Sequence, residues 1–536
     1  MDHSERRRAA SPAALIVALC ALVLACSGGS GDMALAADPA AASRTDAPAP
    51  PPDANAPSRP DPRRGSWTGP LREIVGRWKG RARAESNGRV SASDIQVSVH
   101  VRALGSDGGG VELASLDPDT PHCPASNLKL VTTAAALVLL GPHQEFQTPV
   151  EWSADVRDGV LQGDLVLRAA GDPIVAVDGD ARVEARLDPI ADALRRAGVH
   201  RIAGRVVLDE GTFPDPGPGP GWPDPSQYWQ EHCALAGGFS INAGVLQARV
   251  RPGHTGASAH VEVHPWPTGL VPRLGVTTKK GKLDVRVGAT RTTLTVRGSI
   301  PPDVPIYLPD FSHPDPVTLF GEVLEDRLTR AGIRVDGGVV RERGVPGAEA
   351  LLALRSPLDG VLVPINTHSR NSVADQLFLA LGLAIEGAGT RDAGADATRR
   401  ALRSLGVPLD GFHQVDGSGL SRDNRVSARQ LTALLAGVFA RGNETERLFR
   451  ESLAVAGRRG TLAKRMVGTS AEGHVQAKTG WIRGVSAISG FCEAASGELL
   501  AFSILVSYPP SADGLNTRIF KPMEDEMLVA LSEADR

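Results

Sequence analysis

The chain changes texture twice, and this more than any other feature limits what it can fold into. From Glu145 to about Glu349 it runs as short apolar–polar alternations cut by turns: GDLVLRAAGDP, IAGRVVLDEG, AGVLQARVRPG, KLDVRVG and TTLTVRGSIP. That period of two marks half-buried strands, interrupted only by helical spacing in LDPIADALRRAG and LFGEVLEDRLTRAG. Outside this stretch the pattern differs. IQVSVHVRAL reads as a strand followed by a helix that starts near Ser126. Far downstream come the helices SVADQLFLALGLAIEG and ARQLTALLAGVFARG, a hairpin of VSAISGF and LLAFSILVSYP across AASGE, and a last helix around EDEMLVALSEADR. One strand and one helix cannot bury a core. The expectation is an α/β chain in which one domain, 67–144 and 350–536, is split by an inserted β-rich unit or pair of units over 145–349. A length of 536 residues accommodates that organisation.

The N-terminus carries Arg6, Arg7 and Arg8 ahead of an apolar run from Ala13 to Ala25, too short for an ordinary membrane span and right for an export signal over 1–26. Val23-Leu24-Ala25-Cys26 reads as a lipoprotein cleavage box, with Cys26 as the lipidated first residue. Cleavage after Ala34-Leu35-Ala36 is the competing reading, and either one exports the chain. Residues 27–66, rich in Ala, Pro and Asp, cannot bury a core and read as an extended, disordered tether. Cys123, Cys233 and Cys492 then allow at most one disulfide. Cys123 lies close to Ser126, but the reading as an inert structural thiol is preferred to that of a nucleophile. A net charge of −3 without long charged runs gives no footprint for nucleic acid or an anionic membrane. Membrane contact is expected only through the lipid anchor.

No H-E-x-x-H, P-loop or G-x-S-x-G motif is present. Of 58 basic residues only eight are lysines, so a retained lysine points to an amine that must lose its proton, which arginine cannot do. One of them makes Ser126-x-x-Lys129 in PASNLKLVTTAAAL, which helical spacing places one turn apart on one face. Alone, this spacing equally suits a capping serine and a solvated lysine. A second scarce lysine opens Lys478-Thr479-Gly480 in a strand-like segment, where glycine admits close approach to the backbone. Between them Ser369-Arg370-Asn371 precedes a helix; Ser240-Ile241-Asn242 is a rival that leads into a strand of the inserted region.

In that order, S-x-x-K, S-x-N and K-T-G resemble the penicillin-recognising serine enzymes. With VDGSGLSRDNRVS, AGRRGTLAKRM and GDLVLRAAGDP, the chain from about Leu71 onward resembles the DacB-type D-alanyl-D-alanine carboxypeptidase/endopeptidases, the low-molecular-mass class C penicillin-binding proteins. The resemblance implies a β-lactamase/transpeptidase-like domain, an antiparallel sheet flanked by helices with a helical subdomain, split by the insertion. It implies acyl transfer on peptidoglycan stem peptides, covalent capture of β-lactams, and no cofactor or metal. Ser126 would be the nucleophile and Lys129 its base. Ser369 would relay the proton, Asn371 would hold the acyl-side amide, and Lys478 and Thr479 would bind the terminal carboxylate and keep Lys129 neutral. Backbone N–H groups of Ser126 and Trp481, beside Gly480, would hold the oxyanion. Three positions depart from the family pattern: Trp481 where a small hydroxyl residue is usual, Arg370 where Asp is common, and Asp375 in place of Glu. Loss of the hydroxyl at 481 removes one carboxylate contact, for which Arg483 is a substitute. A β-lactamase or esterase with Tyr-x-Asn as second motif is disfavoured, since none of the three tyrosines begins one. The alternative from another class is a non-catalytic wall-binding or β-lactam-sensing lipoprotein of the same fold.

Overall fold

Six strands form the sheet on which the rest is built: β1 (Gln96–Ala103), β2 (Glu112–Leu116), β3 (Ala454–Val455), β4 (Val475–Ile482), β5 (Val485–Glu493) and β6 (Leu499–Ser507). Their order is β3-β4-β5-β6-β1-β2, every neighbouring pair antiparallel. This computed structural model describes residues 66–105, 110–174, 183–512 and 514–534. The export signal, Cys26 and nearly all of the tether lie outside those residues.

Strand β6 shows why the sheet is covered on both sides. Leu500, Phe502, Ile504 and Val506 enter one core, and Ala501 and Leu505 enter the other, as the period of two demands. On the first face lie α1 (Thr68–Glu85) and the C-terminal helix Lys521–Ser532, through Leu71, Ile74, Trp78, Met523 and Met527. On the second lie α2 (Leu128–Leu140), α3 (Asn371–Glu386) and α4 (Ala428–Phe439), which bury Leu130, Leu377 and Leu434 against one another and the sheet. Helix α1 has apolar residues at helical spacing, Leu71, Ile74, Val75, Trp78 and Ala82, in an otherwise charged segment.

The inserted segment leaves and returns on paired strands. Glu145–Trp152 and Glu349–Pro357 run antiparallel, with Glu145 opposite Pro357 and Trp152 opposite Glu349. The return to the first texture, expected at 350, comes after Pro357, because the returning strand is an edge of the inserted five-stranded sheet. A four-stranded sheet, two three-stranded sheets and the helices Asp188–Arg196 and Pro316–Arg330 complete the insertion around one core that includes Leu167, Leu208, Leu194 and Phe320. The second helix begins where expected for its sequence: Pro316 sits in the first turn, and the Asp315 side chain accepts from the N–H groups of Val317 and Thr318.

Between Asp209 and Val245 the insertion has no regular strand. This stretch instead lies against the helices of the first texture. Arg391 donates to the Gly217 carbonyl, Ser421 to that of Pro220, Asn371 to that of His232, and Gln376 to that of Gly237. The three described cysteines are free thiols.

Candidate active site

Ser126 lies in a tight turn, Ala125–Asn127, that runs directly into α2. Ala125 holds a left-handed φ of 45°, a conformation that costs a non-glycine residue free energy and tends to persist at functional sites. One turn on, Lys129 is fully buried, with Nζ 3.1 Å from Ser126 Oγ, 2.6 Å from Asn371 Oδ1 and 2.7 Å from the Ser418 carbonyl. A neutral amine has two N–H donors and one lone pair. Asn371 and Ser418 take the two donors, and the lone pair is left for the Ser126 hydroxyl. Burial pulls Lys129 down to about 8, against the opposing pull of the Asp375, Asp416 and Glu231 carboxylates. Lys478, expected to help keep Lys129 neutral, is not among the causes of this shift. In the structure burial is the leading cause, and it is Lys478 that Lys129 depresses.

Lys478 is also fully buried and sits well below its usual range, from burial first and the neighbouring Lys129 second. It donates to Ser369 Oγ at 2.9 Å and to the Thr479 carbonyl at 2.9 Å. Lys478 therefore meets the cleft through Ser369 rather than by its own exposure. Ser369 also has a left-handed φ, 62°, just before α3. Thr479 Oγ1 donates to Thr461 Oγ1 at 2.8 Å.

Two glycines bring the distant segments to the serine turn. A Cβ on Gly480 would stand 2.8 Å from the Pro124 carbonyl oxygen and 3.2 Å from the Ser126 nitrogen, so β4 can lie against the turn only without a side chain there. A Cβ on Gly419, whose φ is +81°, would fall 1.8 Å from the Ala125 carbonyl oxygen. The loop holding Gly419 is shaped by two carboxylates. Asp375 on α3 accepts from the N–H groups of Gly417 and Ser418, and Asp416 accepts from those of Gly419 and Ser421. Burial and the facing Asp416 push Asp375 up to about 7. These bonds aim the Ser418 carbonyl at Lys129.

The cleft has a volume of about 750 Å³. Ser126, Ser369 and Asn371 are on its wall, as are Trp481 and Arg483, while Lys129, Lys478 and Gly480 are buried behind it and Thr479 is partly exposed beside it. Trp481 is 57% exposed and keeps only its backbone in the strand. Ser240 is buried in the inserted region, and neither it nor Asn242 is on the cleft wall.

Sequence reasoning overlooked the facing wall: Trp222, Asp224, Gln227, Gln230 and His232 of the insertion. The available signal was GPGPGWPDPSQYWQEHC, a turn-rich, aromatic stretch that breaks the alternation on either side of it. This wall also explains Arg370. Its guanidinium pairs with Glu231 at 2.9 Å and with Asp310 at 2.7 Å, both from the insertion, while Asn371 Nδ2 donates to the His232 carbonyl at 2.7 Å.

Comparison with known proteins places the chain in a family and matches its fold. Residues 93–524 match the D-Ala-D-Ala carboxypeptidase 3 (S13) family. The chain is 36% identical over 427 residues to the D-alanyl-D-alanine carboxypeptidase of Actinomadura sp. (strain R39), covering 74% of this chain and 75% of that one. It is 26% identical over 407 residues to the D-alanyl-D-alanine carboxypeptidase DacB of Haemophilus influenzae, covering 73% and 81%. The crystal structure of penicillin binding protein 4 (dacB) from Haemophilus influenzae shares the fold, with a TM-score of 0.67 at 22% identity over 84% of this chain and 98% of that one. With most of its length matched, this chain belongs to the D-Ala-D-Ala carboxypeptidase 3 (S13) family.

Proposed function

We propose that the protein hydrolyses the bond between the two terminal D-alanines of peptidoglycan stem peptides through an acyl-enzyme on Ser126. The observation that carries this reading is the hydrogen-bond set of Lys129, whose Nζ contacts Ser126 Oγ, Asn371 Oδ1 and the Ser418 carbonyl, so that once neutral it gives two donors to Asn371 and Ser418 and leaves its lone pair for Ser126 Oγ. Lys129 accepts the hydroxyl proton as Oγ attacks the carbonyl carbon. The oxyanion is held by the backbone N–H groups of Ser126 and Trp481, a role indifferent to the side chain at 481. Ser369, hydrogen-bonded to Lys478, passes the proton to the nitrogen of the leaving D-alanine as the C–N bond breaks. Asn371 binds the amide on the acyl side. Water then attacks the ester, Lys129 takes its proton, and Ser126 Oγ leaves and is reprotonated.

The terminal carboxylate is met by Thr479 and the Arg483 side chain at the rim, with Lys478 acting from behind Ser369. A β-lactam follows the same first step, but its amine stays attached to the acyl group, so the ester persists. The substrate lies outside the cytoplasm, consistent with the export signal, and Cys26 is the candidate lipid attachment. A lysine pulled down to about 8 beside a serine serves acylation, for which a protein that only binds the wall has no use.

Release of D-alanine from a soluble stem peptide tests this reading. The wild type is expected to release it, with kcat/KM rising about tenfold per pH unit below pH 8 and levelling above, because only the neutral form of Lys129 accepts the proton. No release by folded protein, or a rate that falls as pH rises from 6 to about 8, contradicts it.

A further inference from the structure

The near-neutral net charge hides a local excess. Residues 271–300 carry seven basic residues, among them three of the eight lysines, against one acidic residue, Asp284. They form a three-stranded sheet of Val271–Thr278, Thr293–Ile300 and Asp284–Ala289, in that order. Its inner face sends Val276, Leu294 and Val296 into the inserted core. By the strand alternation, the outer face carries Arg273 opposite Thr295, and Arg297 directly opposite Arg286. Like charges in directly opposed positions lower the stability of a sheet. The one carboxylate within 271–300 is Asp284, 3.5 Å from Arg286, and both groups are more than half exposed. Lys279, Lys280 and Lys282 stand exposed at the turn between two of the strands. Among the described residues, Arg273, Arg297 and these three lysines have no ion pair.

The outer face continues toward the cleft wall. A side chain at Gly288 would meet Trp229 at 3.9 Å, and Trp229 is 46% exposed. Its neighbours Gln227 and Gln230 line the cleft. Between the arginines the face presents Thr277, Thr293 and Thr295, with a single exposed valine, Val271, at the strand end. Guanidinium groups that match carboxylates, hydroxyls for hydrogen bonding and an indole for a sugar ring suit a polar, carboxylate-bearing glycan polymer better than a bilayer.

We propose that this basic sheet is a second binding surface that holds the anionic peptidoglycan polymer while the cleft works on one of its stem peptides. The partner follows from the proposed function, but the binding needs no turnover. Holding the polymer at a second point raises the effective concentration of stem peptides at the cleft.

The test is co-sedimentation of the full chain, as Ser126→Ala to spare the polymer, with purified insoluble peptidoglycan. At low salt, charge reversal at the turn (Lys279→Glu, Lys280→Glu, Lys282→Glu) or, separately, on the face (Arg286→Glu, Arg297→Glu) is expected to weaken binding about tenfold. Binding by the unreversed chain is expected to fall as salt screens the contact. In the active chain the same reversals are expected to slow D-alanine release from insoluble peptidoglycan while leaving release from a soluble stem peptide within about twofold. Unchanged binding, equal loss on both substrates, or binding to anionic phospholipid vesicles but not to peptidoglycan overturns the proposal. If the unreversed active chain releases no D-alanine from the soluble peptide, the reading of the cleft fails while the sedimentation result still decides this one.

Discussion

Lys129→Ala is expected to slow acylation of Ser126 by about 10²- to 10⁴-fold, the range associated with loss of a positioned base. The folded state is expected to survive, because a fully buried amine is itself costly to keep out of water. Its removal strands the Asn371 and Ser418 acceptors, which water can reach through the space left behind. Lys129→Arg separates charge from basicity: arginine keeps a cation but cannot give up its proton near neutral pH. Both variants are expected to be inactive toward a chromogenic β-lactam with melting curves that remain cooperative. Recovery of acylation in Lys129→Arg would show that the lysine acts by charge alone.

Gly419→Ala carries the second large effect. Its Cβ would fall 1.8 Å from the Ala125 carbonyl oxygen at a φ of +81°, so either the 416–421 loop or the serine turn must move. Strain and overpacking each cost about 1–3 kcal/mol. The displacement would also pull the Ser418 carbonyl off Lys129. Gly387→Ala is the control. Its φ is +75°, but no atom lies within 4 Å of the added carbon, so only the backbone cost of about 1 kcal/mol applies. Denaturant titration with acylation rates is expected to show large losses of both stability and rate at 419 and a small loss of stability alone at 387. Equal behaviour of the two variants would remove the loop from the account of the site.

These two positions show how unevenly the site is written in the sequence. Lysine scarcity pointed to Lys129 and Lys478, and the alternation around Lys478-Thr479-Gly480 matches β4. Strand and helix periodicity likewise anticipated β1, α2, α3, α4 and the hairpin of β5 and β6, since each buries one face or both. Long-range convergence was not readable from spacing. Nothing local says that Ser418 offers its carbonyl to a lysine 289 positions away, or that Gly419 is small because Ala125 is there. The cleft wall at Trp222–His232 was missed because its regular structure is confined to single 3-10 turns, Pro225–Gln227 and Glu231–Cys233, too short to leave a periodic signal. The basic sheet was missed for a different reason: a net charge of −3 averages over the chain, whereas a surface is charged where its residues gather. Helix α1 escaped because its five buried positions are diluted by charged neighbours.

The most direct test of the central claim is the mass of the intact protein after incubation with penicillin, followed by peptide mapping. Acylation opens the lactam ring without a leaving group, so the expected result is an increase equal to the whole antibiotic, located on the peptide containing Ser126 and absent from Ser126→Ala. A folded wild type that gains no mass, or an adduct that persists in Ser126→Ala, would contradict a serine acyl-enzyme at this site.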